Sequence, residues 1–126
     1  MNLNIPYMET DNKLLNDAYR IAAGDIVGNI VYYQNGLLTE EKPCMIAGLD
    51  YNTPWTRDTA INIWNALSIL SPEVSKNTLL AVLEEEEGNM FFIDQAIGQK
   101  KYIYSYRPCC HILGHIIANH KTFFRL

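Results

Sequence analysis

The sequence predicts an all-α protein built from helical hairpins. Apolar side chains recur at spacings of three and four residues over the first quarter of the chain, which is typical of an amphipathic helix. These side chains are Leu14, Leu15, Ala18, Ile21, Ala22, Ile26, Ile30 and Val31. A second helical pattern is followed almost at once by Ser71-Pro72-Glu73, which supplies a cap, a proline at the first helical position and an acid in the first turn. Helices this close in sequence are expected to pack antiparallel as a tight hairpin.

The first predicted helix begins at Thr10 or Asp11, since either side chain can cap a helix. It ends at Asn35-Gly36. Its interior contains Gly24 and Gly28, each of which costs about 0.5–1 kcal/mol relative to alanine. These glycines indicate either close packing against a neighbour or a helix held by its tertiary context.

Residues 37–54 show no sustained period and contain Pro43, Gly48 and Pro54. A long loop is therefore predicted here. Loops of this length within compact domains are usually functional.

Two further helices are predicted, from about Arg57 to Leu70 and from Pro72 to a stop at Gly88. The inward-facing residues of the second helix are Ala60, Ile61, Ile63, Trp64, Leu67 and Leu70. Those of the third helix are Val74, Thr78, Leu79, Ala81, Val82 and Leu83. The glutamate run at 84–87 then lies at the negative end of the third helix dipole and is interpreted as a solvated helix end.

The pattern changes after Gly88. The apolar run Met90–Ile93 predicts either a strand or a buried loop, and a helix is predicted from about Cys109 to Asn119. The chain ends in mid-pattern, with no stop signal after Phe123-Phe124, so it is interpreted as one partial domain over residues 1–126.

Composition restricts the class of protein. The chain is 48% hydrophobic and 19% charged, with a net charge of −4. This composition predicts a globular protein rather than a disordered one. No face carries a cluster of Lys and Arg, so nucleic acid is not expected as a partner.

The cysteine count and the N-terminal sequence predict a cytoplasmic protein. Cys44, Cys109 and Cys110 are too few to build a disulfide framework, which favours a reducing compartment. The N-terminus has no basic region followed by an apolar run, and no segment approaches the roughly 20 apolar residues of a membrane span. No membrane association is expected.

Two strings carry a resemblance to a known family. They are DYNTPWTRDTAI at residues 50–61 and NTLLAVLE at residues 77–84. Together they resemble the N-terminal part of six-hairpin, (α/α)6-barrel glycoside hydrolases, and the Trp-Thr-Arg-Asp-x-Ala string is similar to that of glucoamylases. The longer pattern looks like bacterial barrel glycosidases of uncharacterised or debranching type. The resemblance covers residues 14–88 and implies an incomplete (α/α)6 toroid, with residues 89–126 as an unassigned tail.

The resemblance also implies a role for three side chains. Arg57 and Asp58 would hydrogen-bond the hydroxyls of a terminal sugar, and Trp55 would supply an apolar face for the sugar ring. Hydrogen bonds to charged groups contribute about 1.5–3 kcal/mol each, and an aromatic ring adds contact area. The implied partner is a carbohydrate, either an oligosaccharide or a glycoside.

Catalytic residues are not assigned by the resemblance. Glycoside hydrolysis needs two carboxyl groups across the scissile bond. In these barrels the two groups come from later hairpins. The implied function is therefore an N-terminal fragment of a glycoside hydrolase that contributes sugar contacts but lacks the catalytic carboxylate pair, and no cofactor or metal is implied.

Structural and functional alternatives stay open. Asp58 could face the positive end of a helix, Arg57 could pair with a neighbouring acid, and Trp55 could cover the helical hairpin. The chain could also be a helical interaction or oligomerisation module that associates through exposed apolar helix faces.

A further alternative concerns the C-terminal cysteines and histidines. His111 and His115 would share one face of a helix, with Cys109, Cys110 and His120 nearby, so a zinc site can be drawn. A Cys nucleophile with a His base can also be drawn. The competing interpretation is core or surface histidines and buried thiols.

Overall fold

The computed structural model describes residues 3–48, 50–86 and 89–92. In chain order its elements are helix α1 (Lys13–Gly28), strands β1 (Ile30–Tyr33) and β2 (Lys42–Met45), helix α2 (Thr56–Asn62), a π-helical turn (Ile63–Leu67), helices α3 (Ser68–Leu70) and α4 (Pro72–Ala81), and strands β3 (Leu83–Glu86) and β4 (Asn89–Phe92). β1 pairs with β2, and β3 with β4, both antiparallel. The described fold is thus mixed α/β. The prediction of an all-α toroid of helical hairpins is wrong.

Helix α1 begins later than predicted. Its N-cap is Asn12, whose side-chain oxygen accepts a hydrogen bond from the Leu15 N–H at 3.2 Å. Thr10 is held instead by Asn16, whose side-chain amide donates to the Thr10 carbonyl at 2.8 Å. The choice between these polar residues depends on the path of the preceding segment, which local pattern does not specify.

Strand β1 replaces the predicted C-terminal part of the first helix. The run Ile30-Val31-Tyr32-Tyr33 is β-branched and aromatic, a composition that favours a strand once a partner is available. That partner is β2, in a register that opposes Ile30 to Met45. β2 lies inside residues 37–54, so the prediction of an unbroken loop there is also wrong.

Gly36 lies in the connection between β1 and β2, where its backbone has a φ of +59°. A Cβ atom at this position would press on the Leu83 carbonyl oxygen and would lie 2.6 Å from the Leu80 carbonyl oxygen and 2.9 Å from that of Ala81. The next residue, Leu37, donates its N–H to the Leu80 carbonyl at 3.0 Å. The connection therefore lies against the C-terminal end of α4 and supplies a donor to one of its last carbonyls.

Helices α2 and α3 and the π-helical turn between them form one continuous rod over residues 56–70. In the π-helical turn the Ser68 N–H donates to the Ile63 carbonyl, five residues earlier. Ile63 and Leu67 are four residues apart at the two ends of this turn. Both of these side chains are buried, at 2% and 1% exposure.

The predicted inward face of the rod is partly confirmed. Ala60, Ile63 and Leu67 are buried, whereas Ile61 is 44% exposed and Trp64 is 63% exposed. The prediction that Ile61 and Trp64 face inward is wrong.

Helix α4 begins as predicted and ends earlier. The Ser71 hydroxyl accepts from the Val74 N–H at 3.4 Å, and Pro72 is the first helical residue. All six residues predicted to form its buried side are buried. The helix ends at Ala81, not at Gly88, and the chain continues directly into β3.

The described part of the glutamate run lies in a strand and not at the end of a helix. Glu84, Glu85 and Glu86 lie in β3, which opposes Leu83 to Phe92 in β4. The strand alternative for the apolar run that starts at Met90 is therefore confirmed for the residues that the structure describes. Glutamate favours helix intrinsically, so strand pairing has overridden a local preference.

The main core lies between the rod, α4 and β2. Its buried members are Met45, Ala60, Ile63, Leu67, Val74, Leu79 and Leu83, with Ile26, Ile30 and Leu37 packed at the edge. Burial of this kind contributes about 25 cal/mol per Å² of apolar surface removed from water. The core fixes the rod, and with it the turn that precedes the rod.

In the described part of the chain, no helix combines the length and the hydrophobicity that crossing a membrane requires.

Candidate functional site

The turn at residues 51–58 enters the rod and is held by backbone hydrogen bonds. The Tyr51 N–H donates to the Gly48 carbonyl at 2.8 Å, and the Ala47 N–H donates to the Thr53 carbonyl at 3.2 Å. Pro54 is fully buried beneath the turn. The side chains that follow therefore start from a fixed backbone.

Trp55 precedes α2 and contacts Tyr51. The two ring centroids are 5.0 Å apart with an interplanar angle of 66°, an edge-to-face arrangement. Such a pair contributes about 0.5–1.5 kcal/mol beyond its buried area. Tyr51 is 55% exposed, so the aromatic pair stands at the surface and Trp55 is oriented by its neighbour.

Arg57 and Asp58 form an ion pair in the first turn of α2. The distance from Arg57 Nη2 to Asp58 Oδ2 is 3.7 Å, and the side chains are 69% and 31% exposed. This distance exceeds that of a hydrogen bond. Exposed pairs of this kind contribute about 0–1 kcal/mol, so the two groups are only loosely held together.

This geometry agrees with part of the structural interpretation of Arg57 and Asp58, in which they stabilise the start of a helix and do not contact a sugar. Arg57 pairs with a neighbouring acid, and Asp58 lies in the first helical turn. A carboxylate there is stabilised by the positive end of the helix dipole. The pair therefore has a structural role that is compatible with ligand contact.

Two adjacent polar atoms at the start of the rod are buried without a hydrogen-bond partner in the described part of the chain. They are Asp58 Oδ2 and Thr59 Oγ1. An unpaired buried polar group costs about 1–3 kcal/mol. A donor brought to Asp58 Oδ2 would recover that cost.

The structure brings Trp55, Arg57 and Asp58 onto one turn and adds Tyr51. Tyr51 lies within the string at residues 50–61, but the resemblance implies no role for it. Its position four residues before Trp55, across a turn that contains Pro54, is the signal that could have indicated the contact.

The cysteine and histidine alternatives fall mostly outside the described residues. Cys109, Cys110, His111, His115 and His120 all lie there. Among the residues that are described, no group of three or more His, Cys, Asp or Glu side chains could hold a metal ion.

The remaining cysteine, Cys44, is a free thiol with no exposed surface. Burial raises the pKa of the Cys44 thiol to about 12. It is therefore protonated at neutral pH and unsuited to act as a nucleophile, because the thiolate is the reactive form.

A separate groove of about 520 Å³ lies between the N-terminal segment and α1. Ile5, Tyr7, Asn16 and Tyr19 are among its lining residues, and none of residues 51–58 lines it. The groove and the turn are therefore distinct features of the molecule.

No family model matches this chain, and comparison with curated proteins and with solved structures gave no match. The functional argument therefore rests on the geometry and chemistry of the turn.

Proposed function

We propose that the chain binds carbohydrate through the turn at residues 51–58. The observation that supports this proposal is the edge-to-face pair of Tyr51 and Trp55, which directly precedes the Arg57–Asp58 ion pair. Because the described fold is mixed α/β, support comes from the turn itself and from the family string that it contains, not from a toroid.

The turn carries the two kinds of group that a sugar needs. A pyranose ring presents an apolar C–H face to an aromatic ring, here Trp55, which contacts Tyr51 edge-to-face. Its hydroxyls donate to the carboxylate of Asp58 and accept from the guanidinium of Arg57. Each hydrogen bond to a charged group contributes about 1.5–3 kcal/mol.

Because the ion pair is loose, the Asp58 carboxylate can also accept a hydrogen bond from a sugar hydroxyl. Arg57 is 69% exposed and lies 3.7 Å from Asp58 Oδ2, so its movement costs little. Asp58 Oδ2 has no hydrogen-bond partner in the described part of the chain. A sugar hydroxyl that donates to this oxygen would relieve its unpaired state, which favours a neutral polyol over an anion.

The proposed role is sugar recognition as part of a glycoside hydrolase, without hydrolysis by this chain. Hydrolysis requires a second carboxyl group about 5–5.5 Å away in a retaining enzyme or about 6.5–9.5 Å away in an inverting one. The proposal assigns no such pair to this chain. The carbohydrate, an oligosaccharide or glycoside, is therefore proposed as a ligand that this chain binds and not as a substrate that it hydrolyses.

The two tryptophans of the chain, Trp55 and Trp64, allow a direct test. The variant Trp64→Phe leaves Trp55 as the only indole reporter. Its fluorescence is titrated with maltotriose, cellotriose and mannotriose. A saturable change in emission is expected with at least one of them, and Asp58→Asn or Arg57→Ala in the same background is expected to weaken it at least tenfold, the equivalent of one lost charged hydrogen bond.

The matched control is Trp55→Phe, which leaves the exposed Trp64 as reporter outside the turn. No saturable response is expected from this variant. The proposal is overturned if Trp55 fails to respond to any of the trisaccharides at millimolar concentration, or if its response survives both charge substitutions.

The compartment proposed for the chain is the cytoplasm. Support comes from the small, odd set of three cysteines and from Cys44, which is a free buried thiol. Such usage is typical of reducing compartments.

A second candidate function, self-association through a helix face, is favoured by a separate observation. Helix α1 is 16 residues long, and none of its residues is buried. Leu14, Leu15 and Ile21 are 78%, 49% and 66% exposed. Exposed apolar patches of this kind mark interaction surfaces. Sedimentation of the full chain over a range of concentrations tests this candidate, which a monomer at every concentration would exclude.

A further inference from the structure

The connection between β1 and β2 contains the dipeptide Asn35-Gly36, and Asn35 is the only asparagine of the chain that is followed directly by glycine. Asparagine is one of the thermolabile residues of proteins. The backbone nitrogen of the next residue can attack its side-chain carbonyl carbon. A glycine at the next position obstructs this attack least, because it has no side chain.

The structure leaves both reacting groups available. Asn35 lies outside every described helix and strand and is partly exposed, so water reaches it. The Gly36 N–H, which is the nucleophile, donates to no acceptor among the described residues. The turn is held instead through neighbouring groups. The Leu38 N–H donates to the Asn35 carbonyl and the Leu37 N–H donates to the Leu80 carbonyl, each at 3.0 Å.

We propose that Asn35-Gly36 is a site of spontaneous deamidation and that the product releases the connection from α4. The Gly36 nitrogen gives its proton to water and forms a bond to Asn35 Cγ. The bond from Cγ to Nδ2 then breaks, and Nδ2 takes up a proton from water and leaves as ammonia. Water adds to a carbonyl carbon of the remaining cyclic imide and opens the ring. The reaction requires water alone, with no oxidant or reductant.

The carbon that water attacks decides the product. Attack at Cγ gives aspartate with an ordinary backbone. Attack at the main-chain carbonyl carbon of residue 35 gives isoaspartate, in which the main chain runs through Cβ and Cγ and is longer by a methylene group. Both products carry a carboxylate where Asn35 carries a neutral amide.

Gly36 has no room for a longer backbone. A Cβ at this position would already lie 2.6 Å from the Leu80 carbonyl oxygen and 2.9 Å from that of Ala81. An extra methylene group directly before Gly36 therefore shifts the connection away from α4. The hydrogen bond from the Leu37 N–H to the Leu80 carbonyl is lost with that shift.

The new charge acts in the same direction. Gly36 lies against the C-terminal end of α4, and the carboxylate forms on the residue beside it. A negative charge near the C-terminal end of a helix is unfavourable. Because the ammonia is lost to solvent, the change accumulates as the protein ages.

Ageing of the folded full chain at mildly alkaline pH tests the site. Peptide mapping by mass spectrometry follows the replacement of amide by carboxyl at each asparagine, and methylation by an isoaspartyl methyltransferase detects isoaspartate. Asn52 is the internal control, because it is more exposed than Asn35 but is followed by the β-branched Thr53. Conversion is expected to be faster at Asn35. Equal or faster conversion at Asn52 overturns the proposal.

Thermal denaturation before and after ageing tests the consequence. The aged wild type is expected to unfold at least about 3 °C lower, as follows from the loss of a backbone hydrogen bond in a domain of this size. Asn35→Gln is the matched control, since the longer glutamine side chain closes a ring more slowly. Its midpoint is expected to stay constant on ageing.

Freshly prepared Asn35→Asp separates charge from backbone length. This variant carries the carboxylate without the extra methylene group, so a smaller loss than in the isoaspartyl form is expected. A loss as large as in that form overturns the steric argument at Gly36. Conversion at Asn35 with no fall in the midpoint, or an equal fall in Asn35→Gln, overturns the release of the connection.

Discussion

The Thr78 hydroxyl in α4 accepts a hydrogen bond from the Met45 N–H in β2 at 2.9 Å. The same hydroxyl donates to the Val74 carbonyl at 2.6 Å. One residue away, the Asn77 side-chain amide donates to the Pro43 carbonyl at 3.2 Å. Side chains of α4 therefore occupy backbone groups at the edge of β2 that would otherwise be open to another strand.

Thr78→Val is expected to destabilise the fold by about 1–3 kcal/mol, because it leaves the buried Met45 N–H without an acceptor while it preserves side-chain volume. Urea denaturation followed by circular dichroism measures the change. Thr78→Ser keeps the hydroxyl and is expected to lose less stability. A wild-type stability of Thr78→Val together with a loss in Thr78→Ser would show that the methyl group, not the hydrogen bond, matters.

Gly36→Ala is expected to destabilise the protein by at least about 1 kcal/mol, since its positive φ disfavours side chains. The added Cβ would also press on the Leu80 and Ala81 carbonyls. Gly24→Ala is the matched control: it lies in an exposed helix with nothing within 4 Å. It is expected to stabilise by about 0.5–1 kcal/mol. If the denaturation midpoints of both variants moved in the same direction, the argument that the positive φ of Gly36 excludes a side chain would be contradicted.

Ser71→Ala is expected to cost about 0.5–2 kcal/mol, because it removes the cap of α4. The Ser71 side chain is fully buried and accepts from the Val74 N–H, which favours the upper part of that range. Ser71→Thr keeps a capping oxygen and serves as the comparison in thermal denaturation. A wild-type midpoint in the alanine variant would mean that the cap contributes nothing.

Stability is expected to fall at alkaline pH through Cys44. Burial raises the pKa of this thiol from 9.0 to about 12. The unfolded chain ionises first, so the contribution of the neutral thiol is complete below about pH 9 and is lost as the pH rises towards the folded pKa. The free energy of unfolding, measured by urea denaturation between these values, should decrease.

The comparison for that experiment is Cys44→Ala, which should reduce the slope of stability against pH. A residual slope in the same direction is expected from Tyr33, whose pKa is raised chiefly by burial. If Cys44→Ala left the slope unchanged, the thiol would not be the group that titrates.

The sequence by itself determined the features that depend on near neighbours. The start of α4 was predicted because Ser71, Pro72 and Glu73 act within one helical turn. The buried side of α4 was predicted because one period holds from Val74 to Ala81 and the chain stays buried through Leu83. The residues of the candidate turn were likewise adjacent in the sequence, as Trp55, Arg57 and Asp58.

The tertiary structure decided the features that depend on distant partners. β1 became a strand because Ile30 and Tyr33 meet Met45 and Lys42 across the sheet, a pairing that no local period encodes. Glu84 and Glu85 became extended by pairing with β4, against their helix propensity. The edge-to-face contact of Tyr51 with Trp55 exists only once the turn has closed. Local sequence pattern specifies helix caps and the periodicity of buried residues. Strand pairing and side-chain contacts depend on segments that are distant in the sequence and come together only in the folded protein.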